Sequence, residues 1–141
     1  YRSAHEFCLV FKVSAGSHTS NIALGRRNRS NVWRYPGANA FRNGRLQDLA
    51  DHPTVKNRRM IADAILDVTK AGDAVFDGFC GSGTTLVAAQ ITGRRGYGIE
   101  LDPKYADVIL RRVSGETGAE PLLGGKTPLS EVTGARSGDA S

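Results

Sequence analysis

Residues 74–102 read AVFDGFCGSGTTLVAAQITGRRGYGIELD, and this stretch decides the fold. Its apolar runs and glycines predict, in order, a buried strand, a glycine-rich bend, a helix and a second strand, at residues 74–77, 78–83, 84–92 and 96–100. Gly93 is placed as the C-terminal stop of the helix. A right-handed crossover between the strands makes them parallel neighbours. The predicted fold class is therefore α/β.

The bend of this unit is suited to binding a ligand. Gly81 and Gly83 carry no Cβ, so a ligand can approach the backbone closely, and the helix that follows offers free N–H groups and partial positive charge. Glu100 lies at the end of the second strand, where its carboxylate can accept hydrogen bonds from both ribose hydroxyls of a nucleoside. Because the strands are parallel, bend and carboxylate meet at one edge.

The residues of the unit discriminate between nucleoside ligands. A phosphate-binding P-loop needs a lysine after its last glycine, and none follows Gly83. A dinucleotide fingerprint needs a third small residue where Leu86 stands. Asp77 suits the positively charged methionine end of S-adenosylmethionine better than a pyrophosphate. From the residues alone S-adenosylmethionine is favoured, while a dinucleotide and a purely structural α/β unit stay open.

The flanking sequence predicts further elements. The spacing of Ile61, Ala64, Ile65 and Val68 predicts an amphipathic helix over residues 54–69. Asp102 as N-cap opens a third helix that runs to about Val113. The remaining parts are predicted to be a strand, a long basic loop region and a flexible tail, at residues 5–12, 17–51 and 114–141.

Three motifs carry a family resemblance. Asp77–Thr85 resembles the D-P-F-x-G-S-G-T-T motif of DNA amino-methyltransferases, the N6-adenine and N4-cytosine enzymes. His52–Lys56 is similar to their H-P-T-x-K-P box, and Gly98–Tyr105 resembles their G-I-E-L-D-P-x-Y segment. The order of the three motifs is specific to that family. Asn57 and Gly78 depart from it, because the family has proline at both positions.

The resemblance implies a fold, a cofactor and a set of site residues. Residues 1–113 would be the C-terminal part of a Rossmann-like methyltransferase domain, in which residues 52–113 bind S-adenosylmethionine and residues 1–51 supply a strand and the basic loop region. The implied reaction is methyl transfer to an exocyclic amino group in DNA, with adenine N6 favoured over cytosine N4. The implied cofactor-binding residues are His52, Thr54, Lys56, Asp77, Phe79, Gly81, Ser82, Gly83, Thr84, Glu100 and Asp102. Among them Lys56 would pair with the cofactor carboxylate. Asp102 could help near the adenosine or cap the next helix, and of these two roles the cap is favoured.

The catalytic motif of the family has no counterpart in this sequence. Members of the permuted type place a D-P-P-Y motif ahead of the cofactor motif, but no D-P-P-Y, N-P-P-Y or S-P-P-Y occurs here. We therefore expect the catalytic residues upstream of Tyr1 and expect the chain alone to be inactive. One alternative is a cofactor- and DNA-binding module, a fragment or split subunit that needs a partner carrying the catalytic half. A nicotinamide-dependent oxidoreductase is disfavoured by Leu86 and by the His52–Lys56 box.

Charge is distributed unevenly along the chain. Residues 1–60 carry eleven Lys/Arg against three Asp/Glu, a net charge of +8, whereas residues 61–141 carry eight against eleven, a net charge of −3. This asymmetry indicates either a surface that faces double-stranded DNA or a solubilising basic face. The candidate phosphate contacts are Arg26, Arg27, Arg29, Arg34, Arg42 and Arg45.

Composition excludes several other classes. The two cysteines, Cys8 and Cys80, are too few for a disulfide framework, so a reducing cytoplasm fits best. We expect Cys80 to be a small filler of the bend without a redox task. No second His or Cys stands at metal-ligand spacing, so no metal site is expected. No apolar run approaches the roughly 20 residues of a membrane span.

Overall fold

The computed structural model describes residues 5–21, 30–35 and 56–138, and the elements lie in the last of these ranges. They are α1 (Arg58–Val68), β1 (Ala74–Asp77), α2 (Thr84–Ile91), β2 (Arg95–Gly98), α3 (Pro103–Thr117), β3 (Leu122–Leu123), β4 (Thr127–Pro128) and α4 (Leu129–Gly138). Strand, bend, helix and second strand follow in the predicted order, which confirms the α/β class. Within the described ranges, none of the helices combines the length and the apolar character that crossing a membrane requires.

The two strands of the β-α-β unit pair in parallel. Ala74 lies opposite Arg95, and Asp77 lies opposite Gly98, so both strands end at the same edge. Helix α2 packs closely on β2, because a Cβ placed on Gly96 would lie 3.1 Å from the Cδ2 atom of Leu86. The glycines of β2 therefore set how near the helix comes to the sheet, and with it the position of the bend.

The core lies between α1, α2 and β1. Its buried members are Ile65 on α1 and Ala88 and Ala89 on α2, with partly buried neighbours packed around them at Ile61, Ala62 and Val75. Small alanines on α2 let α1 approach it, and the larger apolar side chains of α1 fill the space. This core holds α2 rigidly, and the bend ends at the first residue of that helix.

Polar side chains close both ends of α1. Asn57 is the N-cap, and its side-chain oxygen accepts hydrogen bonds from the N–H groups of Arg59 (2.9 Å) and Met60 (3.4 Å). At the other end the Asn21 side chain donates to the carbonyls of Leu66 and Thr69, both at 2.8 Å. Asparagine at position 57 thus satisfies helix donors that a proline could not, which gives this departure from the family pattern a structural role.

Helix α3 begins as predicted and ends later than predicted. The Asp102 side chain accepts a hydrogen bond from the N–H of Lys104 at 2.9 Å, and Pro103 is the first helical residue. The helix continues to Thr117 instead of about Val113 because Gly118, at φ 71°, forms a left-handed C-cap and donates to the carbonyl of Ser114 at 2.8 Å.

The prediction of a strand over residues 5–12 is wrong. These residues adopt no regular secondary structure, and their large apolar side chains, such as those of Phe7 and Phe11, are exposed. A strand needs a neighbour that completes its hydrogen-bond ladder, and no described segment lies beside residues 5–12 in that way. Apolar composition alone therefore gave a false prediction.

Regular structure also continues through most of the segment expected to be a flexible tail. Over the described part of residues 114–141, α3 ends, β3 and β4 form an antiparallel hairpin, and α4 follows. Gly124 and Gly125 both have positive φ, 60° and 73°, which a tight hairpin turn between L-residues requires. Glu120 accepts hydrogen bonds from the hydroxyl (2.5 Å) and N–H (3.2 Å) of Ser130 and so holds the start of α4. The structure corrects the expectation of a tail without regular elements.

Candidate functional site

An open cavity of about 250 Å³ lies where β1 and β2 end. Its wall combines one carboxylate with apolar and aromatic side chains, which lie on the bend, directly after β2 and on the first turn of α3. The lining residues are Gly78, Phe79, Gly81, Ile99, Glu100, Leu101 and Tyr105. The predicted meeting of the bend and Glu100 at one edge of the sheet is therefore observed.

Glu100 is the polar centre of this cavity. One carboxylate oxygen accepts the N–H of Gly81 at 2.7 Å, and the other accepts the N–H of Asp102 at 3.0 Å. These two bonds, that of Asp102 being the stronger influence, lower the pKa of the Glu100 carboxyl below its ordinary value. Glu100 is therefore ionised at neutral pH and joins the bend to the start of α3.

Asp77 shapes the other side of the bend. Its side chain accepts the N–H of Phe79 at 2.9 Å, so the carboxylate closes the first turn after β1. The Phe79 ring is left 95% exposed at the mouth of the cavity. Gly81 has φ 52°, a left-handed backbone conformation in which a residue with a Cβ would be strained. This conformation directs the N–H of Gly81 at Glu100.

Ser82, Gly83 and Thr84 face α3. The Ser82 and Thr84 side chains are buried, and Nη1 of Arg112 donates to the Ser82 carbonyl (2.7 Å) and to its hydroxyl (2.8 Å). A Cβ on Gly83 would lie 3.0 Å from the Cγ1 atom of Ile109. These three predicted cofactor residues do not line the described cavity; they hold the bend against α3.

Cys80 is buried beneath the bend and fills the space above Gly98. A Cβ on Gly98 would overlap the Cys80 Sγ atom, so the two residues pack directly on each other. Burial, followed by the nearby Asp77 charge, raises the pKa of the Cys80 thiol. The neutral thiol acts as a packing group, as expected for a small filler residue.

The H-P-T-x-K-P box is described only at its end. His52 and Thr54 lie outside the described residues, while Lys56 forms an ion pair with Glu6, its Nζ lying 2.6 Å and 2.7 Å from the two carboxylate oxygens. Lys56 in this structure is therefore neutralised by the N-terminal segment.

Asp102 caps α3 by accepting a hydrogen bond from the N–H of Lys104, which is the helix-cap role of the two roles considered for it.

One of the six candidate phosphate contacts in the basic region lies within the described residues. Arg34 is exposed, whereas Arg26, Arg27, Arg29, Arg42 and Arg45 lie outside the described residues. Next to it, the half-buried Trp33 packs edge-to-face on Tyr35 with ring centroids 6.5 Å apart, and the Tyr35 hydroxyl donates to Asp63 on α1. This contact fixes residues 30–35 against α1 and leaves the Arg34 side chain on the surface.

Sequence reasoning missed the face of α3 that supports the site. Tyr105, Ile109 and Arg112 occupy positions i, i+4 and i+7, so they share one stripe of the helix. In the structure Tyr105 lines the cavity, Ile109 packs on Gly83 and Arg112 holds Ser82. The spacing itself was a usable signal, because a helix starting at Pro103 turns that stripe toward the bend.

Among the described residues, no three His, Cys, Asp or Glu side chains come together as a metal site.

Comparison with known proteins identifies relatives along most of the chain. Residues 3–111 match the family model of the N6/N4 methyltransferases, described as DNA methylase. The orphan methyltransferase M.BamHII of Bacillus amyloliquefaciens is 34% identical over 97 residues, which are 68% of this chain and 36% of that protein. The type II methyltransferase M.Cfr9I of Citrobacter freundii is 41% identical over 95 residues, 65% of this chain and 28% of that protein.

Several solved structures overlap part of the chain. The crystal structure of the M1.HpyAVI-SAM complex shares 35% sequence identity, covers 44% of this chain and 30% of its own, and gives a TM-score of 0.43, an overlap that carries no argument about the fold. The chain spans about a third of the length of the curated relatives it matches. Because the family model matches well over half of its residues, the chain belongs to the N6/N4 DNA methylase family.

Proposed function

We propose that this chain is the cofactor-binding part of a DNA methyltransferase, which uses S-adenosylmethionine to methylate an exocyclic amino group in DNA, adenine N6 in preference to cytosine N4. The observation that carries the proposal is the ionised Glu100 at the carboxyl edge of the sheet, facing the open cavity beside Gly81. An arrangement of the catalytic residues ahead of the cofactor motif, as in the permuted type, is part of the proposal.

The cavity fits the chemistry of a nucleoside. A carboxylate can accept about four hydrogen bonds, and Glu100 holds two N–H groups, so each oxygen can still accept a ribose hydroxyl. Leu101 and Tyr105 offer the apolar and aromatic surface that a base requires. The negative charge of Asp77 at the end of β1 favours the positive end of S-adenosylmethionine over a pyrophosphate.

Each side chain then has a defined task. Bound S-adenosylmethionine supplies an electrophilic methyl group on a positively charged sulfur. Glu100 orients the ribose by charge-assisted hydrogen bonds, which are the strong class of such bonds. Phe79, at the mouth of the cavity, offers an apolar surface to the methionine side of the cofactor. Lys56 can pair with the cofactor carboxylate only after it leaves Glu6, and that ion pair is exposed enough to exchange at small cost.

The DNA substrate belongs to the same proposal. A net charge of +8 over residues 1–60 and the exposed side chain of Arg34 support a backbone-contacting role for the basic region, together with the five arginines that lie outside the described residues. A target base must leave the duplex to be methylated. DNA as substrate accords with the reducing cytoplasm expected from the two cysteines.

A second candidate follows from the motif content of the chain. No D-P-P-Y, N-P-P-Y or S-P-P-Y occurs among the 141 residues, so no residue here is assigned to holding the flipped base. The chain would then act as a cofactor- and DNA-binding module that requires a separate catalytic part. The chain alone should be inactive in either case, so the test is made in trans. Methyl incorporation into DNA that appears when a family catalytic half is added in trans would favour this second candidate.

The decisive experiment compares two glutamates. Glu100→Gln removes the charge and replaces one acceptor by a donor, so the affinity for S-adenosylhomocysteine, measured by calorimetric titration, should fall by about tenfold or more. Glu120→Gln is the matched control: Glu120 also has a lowered pKa because it accepts hydrogen bonds from Ser130, but it lies in the segment leading to α4. The control should bind like the unchanged chain.

Equal affinities for the unchanged chain and Glu100→Gln, with both folded, would contradict the proposal. Binding of a nicotinamide dinucleotide in preference to S-adenosylhomocysteine would favour the oxidoreductase alternative instead.

The pH dependence of the contribution of Glu100 has a definite sign. Because folding lowers the pKa of Glu100, its stabilising bonds are fully present above the ordinary carboxyl pKa, near 4.3, and are lost as the pH falls through the lowered value. The difference in affinity for S-adenosylhomocysteine between the unchanged chain and Glu100→Gln should therefore disappear at acid pH.

A further inference from the structure

We infer that Arg112 is a positioning residue of the cofactor cavity: from α3 it holds the bend so that Gly81 presents its N–H to Glu100. The inference rests on the proposed function, since it concerns the same cavity. Nη1 of Arg112 donates to the Ser82 carbonyl at 2.7 Å and the Ser82 hydroxyl at 2.8 Å, and lies 3.4 Å from the Thr84 hydroxyl.

The bonds of Arg112 are of a kind that holds backbone firmly. They join a cation to a carbonyl and a hydroxyl, and charge-assisted bonds of this type are about twice as strong as neutral ones. Ser82 and Thr84 are buried, so water cannot readily replace the guanidinium. Removing Arg112 would leave buried polar groups without their cation, and the bend would rearrange to satisfy them.

The effect reaches the ligand side through a closed chain of contacts. Ser82 directly follows Gly81, whose N–H donates to Glu100 at 2.7 Å. Glu100 in turn accepts the N–H of Asp102, the N-cap of α3, at 3.0 Å. Helix α3 therefore holds the bend at Arg112 and the carboxylate at Asp102, and its rigid length fixes the distance between them.

A second contact of α3 supports the same reading. Ile109 lies one turn before Arg112 and packs on Gly83, where an added Cβ would be 3.0 Å from Cγ1. The bend is thus held by an apolar contact at Gly83 and by polar contacts at Ser82 and Thr84. The hydroxyls of Ser82 and Thr84 serve this bracing of the bend instead of contacting the cofactor directly.

The test uses neighbouring arginines of α3. In the 141-residue chain, Arg112→Ala should weaken S-adenosylhomocysteine binding by on the order of tenfold, because a misplaced bend misplaces Gly81 and Glu100. Arg111→Ala is the control, since Arg111 is exposed and donates to the Asp107 carbonyl of its own helix. It should leave the affinity unchanged. Thermal unfolding monitored by circular dichroism establishes that each variant is folded at the titration temperature.

Two readouts without ligand separate positioning from plain destabilisation. Hydrogen exchange at the Gly81 amide, measured by NMR, should accelerate in Arg112→Ala more than exchange in β1 or α2. The pKa of the Glu100 carboxyl, followed in the same spectra, should rise toward its ordinary value as the Gly81 bond is lost. Arg111→Ala should change neither quantity.

A milder variant keeps the test available if Arg112→Ala does not fold. Ser82→Ala removes one acceptor and leaves the carbonyl bond intact, so the affinity should fall by about threefold. In an Arg112→Lys background, where a single ammonium replaces the planar fork, Ser82→Ala should add less than about twofold. An unchanged loss in that background would mean that Ser82 contacts the cofactor itself and would overturn the inference.

Three further results would also overturn it. These are a folded Arg112→Ala with unchanged affinity, weakened binding without any change at Gly81 or Glu100, and equal effects of the two arginine substitutions. Failure of the proposed function has a different signature: the unchanged chain would not bind S-adenosylhomocysteine at all. The exchange and pKa readouts would then still decide whether Arg112 holds the bend.

Discussion

The described N-terminal residues and the β-α-β unit both contain apolar side chains, but of these two regions only the β-α-β unit buries some of them. Phe7 and Phe11 are 87% and 82% exposed and belong to no element, whereas Val87 and Ala88 on α2 are fully buried. The β-α-β unit brings its own packing partners within a few tens of residues, because two strands and a helix close on one another. Within the described ranges, no helix or strand covers the rings of Phe7 and Phe11 in this way. Apolar composition gives structure only where a complementary surface is present.

The described N-terminal residues contact α1 and the residue Lys56 just before it through polar groups. Asn21 donates from its side chain to two carbonyls at the end of α1, and its backbone N–H donates to a third, that of Asp67, at 2.8 Å. Glu6 reaches Lys56, and Tyr35 donates to Asp63. Hydrogen bonds and an ion pair therefore join the described N-terminal residues to this part of the chain, and the core cluster around Ile65 includes none of them.

The largest effect is expected where the β-α-β unit is packed most closely. In Gly98→Ala the new methyl group overlaps the Cys80 Sγ atom and lies 3.3 Å from Leu86, so the free energy of unfolding should fall by about 2–3 kcal/mol in urea titrations. The matched control is Gly115→Ala on α3, where no atom other than those of the adjacent residues and the surrounding helix backbone lies within 4 Å of the added Cβ. That change should be neutral or stabilising by up to about 1 kcal/mol.

The Gly98 prediction also names the atom responsible. If Cys80 is the obstacle, Gly98→Ala should cost less in a Cys80→Ala background than in the unchanged chain. An equal cost in both backgrounds would mean that Cys80 is not the obstacle. A Gly98→Ala as stable as Gly115→Ala would show that β2 is less closely packed than the structure has it.

A smaller effect is expected at the attachment point of the N-terminal residues. Asn21→Ala removes both side-chain bonds to the end of α1, which should lower the free energy of unfolding by about 1–2 kcal/mol, since each such bond contributes about 0.5–1.5 kcal/mol. Asn31→Ala, at an exposed position, is the control and should change stability by less than about 0.5 kcal/mol. Equal values for the two asparagines would mean that α1 ends without help from Asn21.

The smallest effect is expected in the exposed apolar run. Replacing Phe7 and Phe11 together by serine removes little buried surface, so the free energy of unfolding of the 141-residue chain should change by less than about 0.5 kcal/mol. A loss above about 1 kcal/mol would show that these rings pack in solution and would remove the contrast between the two regions.

Much of the fold could be predicted from the sequence. The bounds of β1, α2 and the start of α3 follow from local signals, namely the apolar tetrapeptide, the glycine stop and the Asp-Pro cap. Prediction failed at residues 5–12 and after Ser114. The first depended on a neighbouring strand, which the described residues do not supply. The second depended on the turn at Gly124 and Gly125 and on the contact between Glu120 and Ser130, which lie ten residues apart. Period and composition do not encode such contacts.

The candidate site divides in the same way. Gly81 and Glu100 were predictable, because parallel strands bring the ends of β1 and β2 to one edge. The turning of Ser82 and Thr84 toward Arg112 was not, because their motif is the same whichever side the hydroxyls face. Nor was the pairing of Lys56 with Glu6, which lies 50 residues away in the sequence.

The sequence by itself determined the β-α-β unit, the carboxylate at its edge and the family, since each depends on residue types at short, fixed spacings. Only the tertiary structure decided which side chains face the cavity and which brace it, and that an arginine on α3 holds the bend. The reason is physical: a motif specifies its backbone locally, but the partner of a buried polar group is whichever distant residue the packing of helices brings within hydrogen-bond distance.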